Sequence, residues 1–190
     1  MSETKVAAHW FLYNGAKYFR NVAENVALAT IGKKRDPLGP KASLDVYGQV
    51  APANLKGRIR DVTVVDVNWE AQSKGDVEIN VGLKYFTASG SGTAGFSYEK
   101  AKSARLKLAK FVIDEGDLRA MLNNDADAAR KYLAEEGKDA RIVSTVWVVL
   151  EGELAQTFSA AAKSNGSITA SLTKAAELQI TASHSGSTQQ

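Results

Sequence analysis

The stretch VEINVGLKYFTASGSGTAG, residues 77–95, supports two readings that imply two different folds. Its first part alternates, with Val77, Ile79, Val81, Leu83 and Tyr85 on one side and Glu78, Asn80, Gly82 and Lys84 on the other. A period of two marks a strand with one buried face. Its end, GSGTAG at 90–95, matches the G-x-G-x-x-G pattern of dinucleotide-binding turns. Such a turn needs a strand buried on both faces before it, a helix after it, and further βαβ units. A doubly buried strand reads as continuous aliphatic rather than alternating. The segment after the glycines fits a helical face through Ala101, Ala104, Leu108 and Val112, and equally a strand with Leu106 and Leu108 alternating against Arg105 and Lys107. The alternation favours a hairpin whose mobile tip holds Gly90, Gly92 and Gly95, and nucleotide binding by this loop stays a remote alternative.

Outward from this stretch the pattern is mixed. Upstream, DVTVVDVNWE (61–70) alternates as a strand, and GKKRDPLGPK (32–41) reads as a basic loop punctuated by Pro37 and Pro40. The first 31 residues read as a helical element, with Val6, Trp10 and Tyr13 on one face and Val22, Val26 and Ala29 on another, bent at Asn14 and Gly15. Lys5, Lys17 and Arg20 make that element basic, and Trp10, Phe11, Tyr13, Tyr18 and Phe19 make it aromatic, a combination suited to packing on a sheet or to a membrane interface.

Downstream, Asp114 or Asp117 caps a second helical segment near 115–136 that ends at Gly137 and is interrupted near Asn123–Asp125. RIVSTVWVVL (141–150) reads as the most apolar strand, EGE (151–153) as a turn or bulge, and LAQTFSA (154–160) as another strand. Asn165-Gly166 then forms a tight hairpin turn into SITASLT. The expected fold class is α+β: a twisted, mostly antiparallel sheet with long hairpins, an N-terminal helix and the 115–136 helical segment. All 190 residues are read as one domain, with residues 42–190 as its β-rich body.

The chain holds no cysteine, which removes disulfides, thiolate nucleophiles and Cys-ligated zinc. Its two histidines, His9 and His184, lie at opposite ends and form no metal-ligand spacing. No G-x-S-x-G elbow accompanies the many serines, and Asp114, Glu115 and Asp117 suit a helix start. The expectation is a non-enzymatic protein without cofactor or metal. A net charge of +3 permits an anionic partner without requiring one. Five cations, Lys100, Lys102, Arg105, Lys107 and Lys110, are the candidate contacts for anionic lipid; no nucleic-acid module accompanies them. Neither a signal peptide nor an apolar run of helix-spanning length is legible, so the expected compartment is the cytoplasm, with movement to a membrane if lipid is the target.

From about residue 75 to 188 the order of pieces resembles the pore-forming domain of gasdermins, the bacterial ones in particular. The alternating strand and glycine link above lead to SYEKAKSARLKLAKFVID, then EGDLRAMLNNDADAARKYL, then the pair ARIVSTVWVVLEGELAQTFSAAA and SITASLTKAAELQITASHSGS. The resemblance implies a self-assembling protein whose hairpins rearrange into a membrane pore, with the basic residues on lipid and the glycine and Asn165-Gly166 turns as mobile tips. It also implies an N-terminal lipid-bearing cysteine and a C-terminal inhibitory segment, neither of which is legible here. The alternative expectation is a structural protein, of the virion or secretion-machine kind, that assembles with copies of itself through strand edges without lipid.

Overall fold

A computed structural model describes residues 3–8, 10–19, 28–35, 43–50, 59–78, 84–87 and 93–156. Both helices and strands are present, and the strands form three small, mostly antiparallel sheets among the described residues, an α+β fold. The central sheet has the order β6 (Ile59–Asp66), β9 (Lys107–Ile113), β11 (Thr145–Leu150), β7 (Lys84–Phe86), β8 (Thr93–Gly95). Only the β11–β7 contact, Leu150 opposite Phe86, is parallel.

β9 organises the sheet. It pairs antiparallel with β6 along one edge and β11 along the other, and both of its faces are covered. Ala109, Phe111 and Ile113 face a core completed by Leu118 and Met121 of α3 (Glu115–Asp125), Ala129 of α4 (Asp127–Glu136), and Ile31 and Val50. Leu108 faces a second core with Val6, Phe11, Val67, Trp69, Val77 and Ala101. The Trp69 Nε1–H donates to the Leu106 carbonyl at 2.8 Å inside that second core, which satisfies a polar group that burial would otherwise penalise.

The expected N-terminal helix is replaced, over its described part, by a three-stranded meander: β1 (Thr4–Val6), β2 (Trp10–Tyr13) and β3 (Ala16–Phe19). Asn14 and Gly15 have φ of 48° and 82° and are the two central residues of the β2–β3 hairpin. Two successive positive φ values give the turn whose twist matches a hairpin, and Asn-Gly is the residue pair best suited to it. The pair therefore reverses the chain rather than bending a helix.

Residues 32–35 of the expected basic loop belong to β4 (Thr30–Arg35), which lies between β5 (Ser43–Gln49) and β10 (Ala140–Ile142) in a side sheet. The apolar run 141–150 is divided between two sheets: β10 pairs with β4, then the chain crosses at Val143–Ser144 into β11. The crossing residues keep their backbone bonds, Val143 N–H to Thr30 O at 2.8 Å and Ile113 N–H to Ser144 O at 2.9 Å. The alternation from Val77 is also interrupted, since Lys74–Glu78 is a short helix, α1, and the next described strand begins at Lys84. Likewise residues 152–156 are helical, where a turn and the start of a strand were expected.

The helical segment near 115–136 divides at Ala126, adjacent to the expected break. Asp114 occupies the N-cap position of α3 in extended conformation, and α4 stops at Gly137, whose φ of 56° is open to glycine at little steric cost.

A bulge in the side sheet sets Gly32 against the backbone of β5: a Cβ there would lie 2.2 Å from the Asp45 carbonyl oxygen. Gly32→Ala is expected to part β4 from β5 and lower stability by about 2 kcal/mol, in the range of overpacked sites. A thermal melt that matches the parent protein would refute this close approach.

Candidate interaction surfaces

The five sequence-selected cations do not line one face. Lys100 and Lys102 lie on α2 (Tyr98–Ser103), whose N-cap Ser97 accepts from the Lys100 N–H through its Oγ at 3.2 Å. Arg105 sits in the following turn at φ 49°, and Lys107 and Lys110 lie on opposite faces of β9. Three of the five have partners. Lys102 Nζ is 3.0 Å from Glu70 and 5.4 Å from the centre of the Tyr98 ring; its pKa is raised, chiefly by the bond to Glu70. Lys107 Nζ is 2.8 Å from Asp66, the residue directly opposite in β6. Lys110 stands over rings, 5.9 Å from Trp147 and 6.0 Å from Tyr13. Lys100 and Arg105 are exposed.

Gly95 ends β8, which pairs antiparallel with β7 through Lys84–Gly95, Tyr85–Ala94 and Phe86–Thr93. The glycine stretch therefore connects two antiparallel strands, the hairpin expected from the alternation. Thr93–Gly95 is a strand, where a pyrophosphate turn would open its helix. Gly90, Gly92, Asn165 and Gly166 lie outside the described residues. Among the described residues no group of three or more His, Cys, Asp or Glu is placed to hold a metal, and no helix is long and apolar enough to cross a membrane.

Two other surfaces stand out. The first is the N-terminal meander. Its inner face carries Val6, Phe11, Tyr13 and Tyr18, and the Phe11, Tyr13 and Tyr18 rings pack edge-on against Trp147 or against one another. The centroid distances to Trp147, 4.8 to 5.4 Å, and the interplanar angles of 64–71° set ring edges against ring faces, the favourable quadrupole arrangement. Gln72 fastens β1 at its other side, its Oε1 accepting from the Val6 N–H at 2.9 Å. The outer face is different in kind. Lys5, Leu12 and Lys17 stand in one cross-strand row, and Trp10 lies next to them with Lys17 Nζ 4.8 Å from its ring centre. Both lysines of that row are exposed.

The second surface is on the side sheet. Val46 and Tyr47 of β5 are 48% and 57% exposed, the only large hydrophobic side chains so exposed among the described residues. Tyr47 stacks on Tyr132 of α4 with centroids 4.0 Å apart and planes at 14°. Beside the pair lie Lys33–Glu136 at 2.8 Å and Arg35 with Asp45, while Lys34–Asp139, at 3.8 Å, belongs to the other face of β4. Burial, and next the Glu136 charge, push the Tyr132 phenol above its ordinary value of 10.0; the hydrogen bond to Glu136 raises Lys33. Single-residue signals for this site were thin: SLDVYGQ alternates, but nothing in it marks Tyr47 as exposed. The tyrosine is visible as a surface feature only once β5 is placed in its sheet, with β4 as its one strand neighbour among the described residues.

No family model, no curated protein and no solved structure matches the chain.

Two outcomes follow from this geometry. Trp147→Ala removes the ring on which the meander rests and is expected to cost roughly 3 kcal/mol or more. Amide exchange should rise over residues 4–19 more than over β6 and β9; a uniform rise would show that the meander is not held by this ring. In an ultraviolet pH titration, Tyr132 should ionise later than a free phenol. Because a raised folded pKa favours the protonated form, the stabilisation is complete below pH 10.0 and is lost as pH climbs through the raised value. Glu136→Gln should bring the late phenol part of the way back, and no change on that substitution would remove Glu136 as a cause.

Proposed function

We propose that this chain is a non-enzymatic protein that docks on anionic lipid and assembles with copies of itself. The observation that carries the docking is the outer face of the meander, where Lys5, Leu12 and Lys17 form one row beside Trp10. Indole rings favour the head-group region of a bilayer, and each lysine near an anionic surface contributes about 1 kcal/mol of attraction. The net charge of +3 points the same way. Lys100 and Arg105, both exposed, are further candidate contacts. The gasdermin-like order of pieces over 75–188 supports the finer reading, a pore former that works from the cytoplasm on a membrane. The other reading, assembly without lipid, is favoured by the exposure of Val46 and Tyr47 on β5.

Sedimentation with vesicles tests the docking. The protein should pellet with phosphatidylserine-containing vesicles, not with neutral ones, and release as salt is raised, since exposed charges more than a Debye length apart are screened. Combining Lys5→Glu and Lys17→Glu should weaken binding by at least 10-fold, two charge reversals at about 1 kcal/mol per charge. Equal binding to neutral vesicles, or indifference to both salt and the double variant, would sink the reading. Dye release in the same vesicles separates a pore former from a protein that only coats the surface.

A further inference from the structure

We infer that Asn14-Gly15, the tip of the β2–β3 hairpin, is a self-modification site, where Asn14 converts through a cyclic imide to aspartate and isoaspartate and so loosens the meander's hold on anionic lipid. The modification stands on the turn alone; its consequence rests on the docking reading above.

The tip meets what the chemistry needs. Asn14 and Gly15 are both exposed. Among the described residues no hydrogen bond holds the Asn14 carboxamide or the Gly15 N–H; the one backbone tie at the tip is the Asn14 N–H, which donates to the Glu3 carbonyl at 3.2 Å. A Cβ built on Gly15 would meet nothing within 4 Å, so the nitrogen of that residue is crowded neither by its own side chain nor by a neighbour there. The other asparagines of the described residues are followed by Trp69, Asn124 and Asp125 rather than glycine, and two of them lie inside α3.

In the reaction the Gly15 backbone nitrogen attacks Cγ of Asn14 and gives its proton to water. The new N–Cγ bond closes the imide, the Cγ–Nδ2 bond breaks, and ammonia leaves. Water then opens the ring at either carbonyl. Breaking N–Cγ gives aspartate. Breaking the original peptide bond leaves the main chain running through Cβ and Cγ, as isoaspartate. One water is consumed and one ammonia released, with no oxidant or reductant. The turn holds Asn14 and Gly15 at φ of 48° and 82°, and ring closure rotates the Asn14 backbone out of that geometry. The rate therefore follows local opening of the hairpin, and β3 has β2 as its one strand neighbour among the described residues.

Both products set a carboxylate three residues from Lys17 and lower the net charge of +3 by one. Isoaspartate also adds a methylene to the main chain of a two-residue loop, and loop length sets hairpin register. The Tyr13–Ala16 and Leu12–Lys17 pairs lose their alignment, and the row of Lys5, Leu12 and Lys17 is lost with them.

Ageing the full chain in warm, mildly alkaline buffer, with peptide mass mapping, tests the site. Mapping is needed because Asn165-Gly166 is the same dipeptide. Amide-to-acid conversion is expected at Asn14, with isoaspartate among the products, and faster as pH rises because the attacking nitrogen must lose its proton. Asn14→Gly retains a residue suited to positive φ and should keep its vesicle binding on ageing. Fresh Asn14→Asp carries the charge without the extra methylene and should bind phosphatidylserine-containing vesicles about 5-fold less tightly than the fresh parent, the effect of one charge near an anionic surface. The aged parent should bind less tightly still. An Asn14 that stays an amide in the folded chain while the denatured chain converts would overturn the modification. Equal vesicle binding by fresh and converted parent would overturn its consequence. A fresh chain that ignores anionic vesicles removes the docking and this consequence together, while the mass map still decides the modification.

Discussion

Burial of β9 on both faces and both edges is the constraint on which the rest depends. Phe111 and Ile113 must be covered by α3, α4 and the side sheet, while Leu108 on the opposite face must be covered by α2, the Trp69 turn and the N-terminal meander. Each covering layer is too small to bury its own apolar side chains, since a three-stranded sheet or a ten-residue helix exposes as much as it hides. The layers are stable only against β9 and its neighbours. That explains why Lys107 and Lys110 occur on so buried a strand. Lys107 stands at its start, where Asp66 of β6 meets it, and Lys110 lays its stem among rings and its ammonium over their faces.

Trp147 is the hinge between this centre and the meander. It stands opposite Lys110 in the β9–β11 register and receives Phe11, Tyr13 and Tyr18 on its exposed side. The attachment rests on dispersion and ring quadrupoles, with the Gln72 amide as a polar tie. The ion pairs of the described surface contribute little by comparison. Arg35 and Asp45, for instance, are 67% and 44% exposed, and pairs in that setting are worth at most about 1 kcal/mol.

Several elements were legible because one local signal sufficed. The alternation of 61–70, which holds as a strand to Asp66 and then gives way to the Trp69–Ala71 turn, the acidic start at Asp114, the stop at Gly137 and the hairpin around the glycine stretch all depend on rules that act within a few residues. The N-terminal meander was misread although its strongest signal, Asn14-Gly15, is equally local. The strands there are three or four residues long, so apolar positions three and four apart arise from residues on different strands and imitate a helix. The same brevity hid the division of 141–150, in which one apolar run serves two sheets. As for the site, the five cations were visible as a cluster in sequence, but the helix-turn-strand path from α2 into β9 distributes them over separate surfaces.

What the sequence by itself determined was the class of the molecule, an α+β chain without cysteine, together with the helix break near Ala126 and the stop at Gly137, because these are set by φ preferences and periodicity over short spans. What only the tertiary structure decided was which surfaces are left over. Lys5 and Lys17 share a row because three strands fold back in register, and Tyr47 stays more than half exposed although its ring is stacked on Tyr132, on a strand with one strand neighbour among the described residues. Exposure is a property of the whole packing: a side chain is free to meet a partner only after every other element has chosen what to cover, and no local pattern carries that information.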